Sequence, residues 1–192
     1  MQRVIGVLLQ LVQPPREHAV HDGPHDGIAH HAQRADLFAG VLAGQISGLI
    51  MALVMMGVFA VFLGTSPLFP VQVIGSFVTG NIAVQGFHLP SVLWGLVLHQ
   101  LGPSLAWGLG FGAVVHVLDV RRLGGLLLVG LGIGVTSQVI DVNMVIPVAF
   151  PALHGRDIWT ENVPMFWSWA AHLVFGLSLA TFGWVRPRIG DT

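Results

Sequence analysis

Residues 37–63 form a run of 27 amino acids without a single charged side chain. At about 1.5 Å per residue, a helix of this length crosses the roughly 30 Å hydrocarbon core of a bilayer with some tilt. Three further apolar segments follow, at residues 90–118, 123–146 and 164–185. We therefore predict an all-α integral membrane protein with four transmembrane helices arranged as two hairpins.

Composition supports the same class. The chain is 54% hydrophobic and only 9% charged, whereas soluble domains carry about 25% charged residues. The absence of cysteine excludes disulfides, thiolate metal sites and cysteine-ligated iron–sulfur clusters. With a net charge of −1, nucleic acid is not an expected partner.

The distribution of arginine predicts the orientation in the membrane. The chain has no lysine, and seven of its eight arginines fall on one side of the four segments, with Arg156 alone on the other. The seven are Arg3, Arg16, Arg34, Arg121, Arg122, Arg186 and Arg188. Because positively charged loops stay in the cytoplasm, both termini are predicted to be cytoplasmic, in a multi-pass protein of the bacterial inner membrane.

This topology divides the chain into three parts. Residues 1–36 are predicted to be a flexible, cytoplasmic, histidine-rich arm, residues 37–188 the four-helix domain, and residues 189–192 a short tail. Residues 65–89, in the first outer loop, are uncharged but interrupted by polar side chains, which favours an interfacial or re-entrant helix. Residues 147–163 are predicted to form a second outer loop.

The two hairpins resemble each other, which suggests a parallel internal repeat. His99 follows Pro90 by nine residues, and His172 follows Pro164 by eight. Both histidines would then lie about 12–14 Å below the outer ends of helices that run in the same direction.

His99 and His172 are the main candidate site residues, because ionisable groups inside a span face protein or water. Neutral imidazole is a common axial ligand of haem b and also binds copper and zinc. The alternatives are a hydrogen bond to a neighbouring helix, or a role with protons or a quinone.

Asp141, together with Gln138, is a second candidate, for a proton or ion route beside the histidines. The alternative is a carboxylate that reaches water at the end of the helix. Two weaker metal sites are also predicted. The histidines of the arm are candidate metal ligands: His18, His21, His25, His30 and His31. The outer loops offer a cation site from His88, His154, Asp157 and Glu161.

Residues Ala171-His172-Leu-Val-Phe-Gly176 resemble an element of YagU-like bacterial inner-membrane proteins. The resemblance covers about one helix. It implies a membrane location and no particular mechanism.

No catalytic motif is present, so an enzyme is not predicted. Gly40, Gly44 and Gly48 provide a small-residue surface for helix packing. We expect an accessory or structural subunit of a larger respiratory or redox complex, in contact with other transmembrane subunits. The alternatives are a haem b electron-transfer subunit that uses His99 and His172, and a small proton- or metal-coupled transporter.

Overall fold

The computed structural model describes residues 24–190, and the side chains of residues 30–187. The described part of the chain is helical and contains no strand, which confirms the predicted all-α class. The helices are α1 (Pro24–Val61), α2 (Phe69–Thr79), α3 (Leu89–His99), α4 (Leu105–Val117), α5 (Leu123–Ser137), α6 (Ile146–His154), α7 (Ile158–Asn162), α8 (Met165–Ser178) and α9 (Phe182–Gly190). Short 3₁₀ segments occur at Gly80–Val84 and Leu179–Thr181, and π-helical segments at Gln100–Ser104 and Gln138–Val145.

Three helical stretches are long and apolar enough to cross a membrane, namely His30–Val61, Leu123–His154 and Met165–Pro187. Their outer surfaces carry large apolar side chains that are more than half exposed, such as Leu53 at 65% and Leu128 at 71%. Such surfaces are unfavourable in water and indicate a lipid bilayer environment.

The first helix begins earlier than predicted. α1 starts at Pro24 and not at residue 37, so residues 24–36, assigned to the flexible arm, are helical. Asp36 lies inside α1 with its side chain fully buried. Its ion pairs, described below, explain why a carboxylate is stable at this position.

Residues Leu89–Val117 are helical in three consecutive pieces, α3, a π-helical segment and α4. Gly102 has non-helical torsion angles of φ −89° and ψ −105°, directly before Pro103. Proline lacks an amide hydrogen and clashes with the preceding turn, so the helix is kinked at this point.

Residues 147–163, predicted to form a second outer loop, are mostly helical. Helix continues without interruption from Leu123 to His154, and α7 adds a further turn. Pro147 stands in the first turn of α6, directly after the π-helical segment, and Pro151 lies inside α6. These prolines are therefore accommodated within helical structure.

Phe69–Thr79, within the stretch predicted to hold an interfacial or re-entrant helix, is helical and forms α2. It packs closely on α3, because Gly75 lies against the carbonyl of Ser91 and Gly95 lies against the carbonyl of Val71. These two contacts bring the backbones together and seal one side of the cavity described below.

Glycines also fix how the long helices cross. In α1, Gly40 and Gly44 lie against Gly108 and Gly112 of α4. A Cβ atom added at Gly108 would lie 2.7 Å from the carbonyl oxygen of Gly40. The predicted glycine surface of α1 therefore packs within the chain.

A second glycine crossing joins α5 to α8. Gly130 lies against the carbonyl of Gly176, and Gly134 lies against the carbonyl of His172. This crossing holds His172 at a fixed height beside α5.

Candidate functional site

A cavity of about 490 Å³ is lined by residues from α1 to α8. Its walls are mostly apolar and include Met51, Met55 and Phe175. A few polar side chains interrupt this lining. The volume falls within the roughly 300–1,000 Å³ typical of sites for small molecules.

His172, on α8, lines the cavity and is only 7% exposed. Its Nδ1 lies 2.9 Å from the carbonyl oxygen of Ser168, one turn earlier in the same helix. A carbonyl oxygen can only accept a hydrogen bond, so Nδ1 carries the proton. In the neutral ring, Nε2 then keeps its lone pair and can accept a hydrogen bond or bind a metal.

His99 lines the same cavity from the end of α3, directly before the π-helical segment. Its side chain is partly exposed. The two histidines named by the sequence thus border one space, although 73 residues separate them. No group of three or more metal-ligand side chains occurs within the described residues, so a metal bound by protein side chains alone has no geometric support there.

Asp141 also lines the cavity, from the π-helical segment that follows α5. Its Oδ2 accepts a hydrogen bond of 2.7 Å from the indole Nε1 of Trp107, on α4. The pair joins two helices across the cavity wall. Sequence reasoning missed Trp107, because nothing in the local pattern relates it to an acid 34 residues away.

Gln138 is fully buried but does not line the cavity. Its Oε1 accepts a hydrogen bond of 2.9 Å from Ser168, and its Nε2 lies 3.2 Å from the side-chain oxygen of Asn143. These contacts connect the end of α5 to α8. Gln138 therefore supports the wall that carries His172, and its role with Asp141 in a proton or ion route stays a prediction.

Trp159, on α7, is a further lining residue that sequence reasoning did not name as a site residue. Its indole Nε1 is buried, and no acceptor contacts it within the described part of the chain. An unsatisfied buried donor costs about 1–3 kcal/mol.

The two π-helical segments both border the cavity. The first supplies Gly102 and Pro103 to the lining, and the second supplies Asp141 and Val142. Wide turns of this kind are rare and occur frequently at functional sites.

The histidines of the arm were also predicted as metal ligands. In the arm, His18 and His21 lie outside the described residues, and the side chain of His25 is not described. His30 and His31 stand exposed on α1, and their role as metal ligands stays a prediction.

The outer-loop cation site does not form among the described residues. His88 contacts the hydroxyl of Ser91 at 2.6 Å, and His154 contacts the carbonyl of Phe77 at 3.0 Å. The two acids are engaged elsewhere. Asp157 caps α7 through the amide of Thr160, and Glu161 pairs with Arg156.

A second polar cluster, which sequence reasoning missed, surrounds Asp36. This buried carboxyl group accepts two hydrogen bonds of 3.0 Å from Arg121 and one of 2.5 Å from Arg186. His116 lies 2.9 Å from its Oδ2. The hydrogen bonds that Arg121 donates to Asp36 raise the pKa of its guanidinium further above the ordinary value, so its charge persists at any physiological pH.

Comparison with family models, with curated proteins and with solved structures finds no match to this chain. The resemblance to YagU-like membrane proteins therefore rests on residues 171–176 alone and stays a prediction.

Proposed function

We propose that this protein is a four-span membrane protein that binds a small lipophilic molecule in the cavity between its helices. The observation that carries the proposal is the cavity itself, an apolar space bordered by His99, Asp141 and His172. An apolar cavity with a few convergent polar groups is the usual form of a binding site for a small molecule.

The Asp36 cluster supports four passes. Asp36 near the start of α1, Arg121 before α5 and Arg186 near the end of the chain meet at one point. From Asp36, α1 runs for about 37 Å toward its end at Val61. The chain has to cover that distance again before it reaches Arg121, and Leu89–Val117 is the helical stretch that returns.

The same cluster supports the proposed orientation. It brings Arg121 and Arg186 together at the end that also carries Arg34 and Arg122, while Arg156 belongs to the segment between α6 and α7. Because arginine-rich ends stay in the cytoplasm, we place the cluster at the cytoplasmic face of a bacterial inner membrane, with both termini inside.

Haem b is a second candidate ligand. A histidine that binds a metal usually donates its other ring N–H to a carbonyl or carboxyl oxygen, and His172 does so with Ser168. Both His172 and His99 border the cavity. Against haem, no arginine lines the cavity within the described residues, so its propionates would lack a cationic partner.

Two wider roles and the internal repeat, all inferred from the sequence, stay proposals. Membership of a respiratory complex was inferred partly from glycine-lined helices, but Gly40, Gly44 and Gly134 pack within the chain. A transporter would use Asp141 beside the same cavity. The internal repeat gains support from the glycine crossings of α1 with α4 and α5 with α8.

Native mass spectrometry of the protein from mild detergent tests ligand binding. We expect a co-purified small molecule that is lost in Ala106→Trp, because Ala106 lines the cavity. Leu109→Trp is the matched control, since Leu109 is exposed on the same helix and outside the lining. If no small molecule is bound, or if both variants retain it equally, the cavity is not the site.

A reduced-minus-oxidised visible spectrum of the same sample separates the two candidate ligands. A haem b band that disappears in both His99→Ala and His172→Ala identifies haem. A blank spectrum beside a bound small molecule excludes it.

A further inference from the structure

We propose that the ligand of the cavity is a monovalent organic cation with apolar substituents, held beside the carboxylate of Asp141 and the indole of Trp107. This inference rests on the proposed function and names the chemical class of the bound molecule. It follows from the charge and the aromatic rings that line the cavity.

The charge of the lining determines the sign of the ligand. Among the described residues, Asp141 is the single acid in the lining, and no arginine is present there. Lysine is absent from the whole chain. Asp141 forms no ion pair with a described residue, so neither cavity histidine balances its charge. A carboxylate in apolar surroundings is stabilised by a paired positive charge and destabilised by an anionic neighbour, which favours a cationic ligand.

One oxygen of Asp141 is open to such a ligand. Its Oδ2 accepts the hydrogen bond of 2.7 Å from Trp107. Its Oδ1 has no donor among the described residues and, unlike the indole nitrogen of Trp159, it is not buried. A positive group in the cavity therefore reaches Oδ1 without breaking a contact within the protein.

The aromatic rings of the lining favour the same sign of charge. Trp107 lines the cavity next to the carboxylate that it contacts, and Phe77 lines it from α2 with 38% of its surface exposed. The face of an aromatic ring attracts a cation, most strongly for tryptophan, and quaternary ammonium ligands are recognised in this way. A cation at Oδ1 thus lies beside the indole that orients the carboxylate.

The cation has to be organic. A metal ion requires several oxygen, nitrogen or sulfur ligands, and no group of three or more metal-ligand side chains occurs in the described part of the chain. The lining is instead mostly apolar, with Met51, Met55 and Val71 among its residues. Apolar substituents on the cation are buried against this surface, and a single carboxylate balances a single positive charge.

The cavity borders the lipid-facing surface of the helices. Leu96 and Val145 line the cavity and are also 42% and 50% exposed. A cation with apolar substituents partitions into the bilayer, so it enters from this side without crossing water.

The test is titration calorimetry of the full chain in nanodiscs of zwitterionic lipid, with empty nanodiscs as the blank. The probes are tetraphenylphosphonium and tetraphenylborate, which have closely similar shapes and opposite charges. We expect saturable binding of the phosphonium alone. Ala106→Trp should abolish this binding, because Ala106 lines the cavity.

Asp141→Asn tests the role of the charge. Asparagine keeps an oxygen that accepts the hydrogen bond from Trp107, so this variant removes the charge and retains the shape. We expect phosphonium binding to weaken by at least about tenfold, which corresponds to about 1.4 kcal/mol, and to persist in Asp141→Glu. Asp119→Asn is the matched control, because Asp119 is 82% exposed and lies outside the lining.

Thermal melting of each variant in the same nanodiscs shows whether the fold is retained. If Asp141→Asn unfolds, two measurements on folded protein decide the question. They are the preference of the wild type for the phosphonium over the borate, and the retention of binding in Asp141→Glu.

Absence of phosphonium binding, equal saturable binding of the two probes, or phosphonium binding that Asp141→Asn leaves unchanged overturns the proposal. If a co-purified molecule is displaced by Ala106→Trp but the phosphonium does not bind, the cation assignment fails and the proposed function stands.

Discussion

The carboxyl group of Asp36 accepts two hydrogen bonds of 3.0 Å from the guanidinium of Arg121, 85 residues later in the chain. The same carboxyl group contacts Arg186 and His116, so one acid connects α1, the turn before α5, α9 and α4. Asp36 is fully buried, while Arg121 is 44% exposed. The cluster thus fastens both ends of the helical domain at a single point near the surface.

Asp36→Asn should destabilise the protein. The amide keeps the shape of the side chain but removes the charge, which leaves two arginines without their shared partner. Loss of one member of a buried ion pair costs about 3–5 kcal/mol, and exposure of the arginines reduces this to about 2–3 kcal/mol. Thermal denaturation in detergent, followed by circular dichroism, measures the change.

Asp119→Asn is the matched control for this prediction. Asp119 also pairs with Arg121, at 2.9 Å, but its side chain is 82% exposed, and exposed pairs contribute about 0–1 kcal/mol. Similar losses of stability in the two variants would show that the buried ion pairs of Asp36 contribute no more to stability than the exposed pair of Asp119.

Sequence reasoning predicted the helical class but missed the contacts between the helices, and the reason is physical. Apolar runs and arginine positions are local signals, and they identified the helical class. Asp36 and Arg121 carry no local mark that relates them, and Trp107 and Asp141 meet only after the helices have packed. The two cavity histidines were found because an ionisable group within an apolar run is itself a local signal.

The helix boundaries were predicted inaccurately for a different reason. Pro147 and the polar residues 24–36 are typical of loops, yet both lie within helix. Proline is tolerated where a helical segment begins, and polar residues extend a helix once the apolar part has nucleated it.

Gly108→Ala should separate α1 from α4. The added methyl group would lie 2.7 Å from the carbonyl oxygen of Gly40 and 2.8 Å from the Cα of Gly44. Because both neighbours are backbone atoms, the helices themselves have to move, at a cost of about 1–3 kcal/mol. Thermal stability in detergent is again the measurement.

Gly110→Ala, two residues further along α4, provides the comparison. A methyl group there meets nothing within 4 Å, and alanine favours helix over glycine by about 1 kcal/mol. We expect this variant to equal or exceed the parent in stability. If both alanine variants are equally stable, close packing at Gly108 is not what holds the crossing.

Gly134→Ala should alter the cavity as well as stability, because its methyl group would press on the carbonyl of His172. We expect a loss of about 1–3 kcal/mol together with weaker ligand binding, since α8 carries His172. Gly132→Ala has open space and should change neither property. Retained binding in Gly134→Ala would separate the α5–α8 crossing from the site.

Trp107→Phe should weaken the contact between α4 and the segment after α5. Phenylalanine retains the aromatic ring but cannot donate to Asp141, so a hydrogen bond of 2.7 Å is lost. We expect a loss of about 1–2 kcal/mol in stability, with Trp94→Phe unchanged because Trp94 is 45% exposed. Equal melting temperatures of the two variants would contradict a structural role for the bond.

The four-span topology is open to a direct test, because the chain contains no cysteine and any single introduced thiol reports without background. Gln33→Cys precedes the proposed first hairpin, and Leu118→Cys follows it. Ala152→Cys lies on α6, at the proposed outer face of the membrane. All three positions are exposed. In intact spheroplasts, a membrane-impermeant maleimide should label position 152 alone. After lysis it should label all three. Labelling of positions 33 and 118 from opposite sides would mean that Leu89–Val117 does not cross the membrane, and the meeting of Asp36 with Arg121 could not then exist in the bilayer.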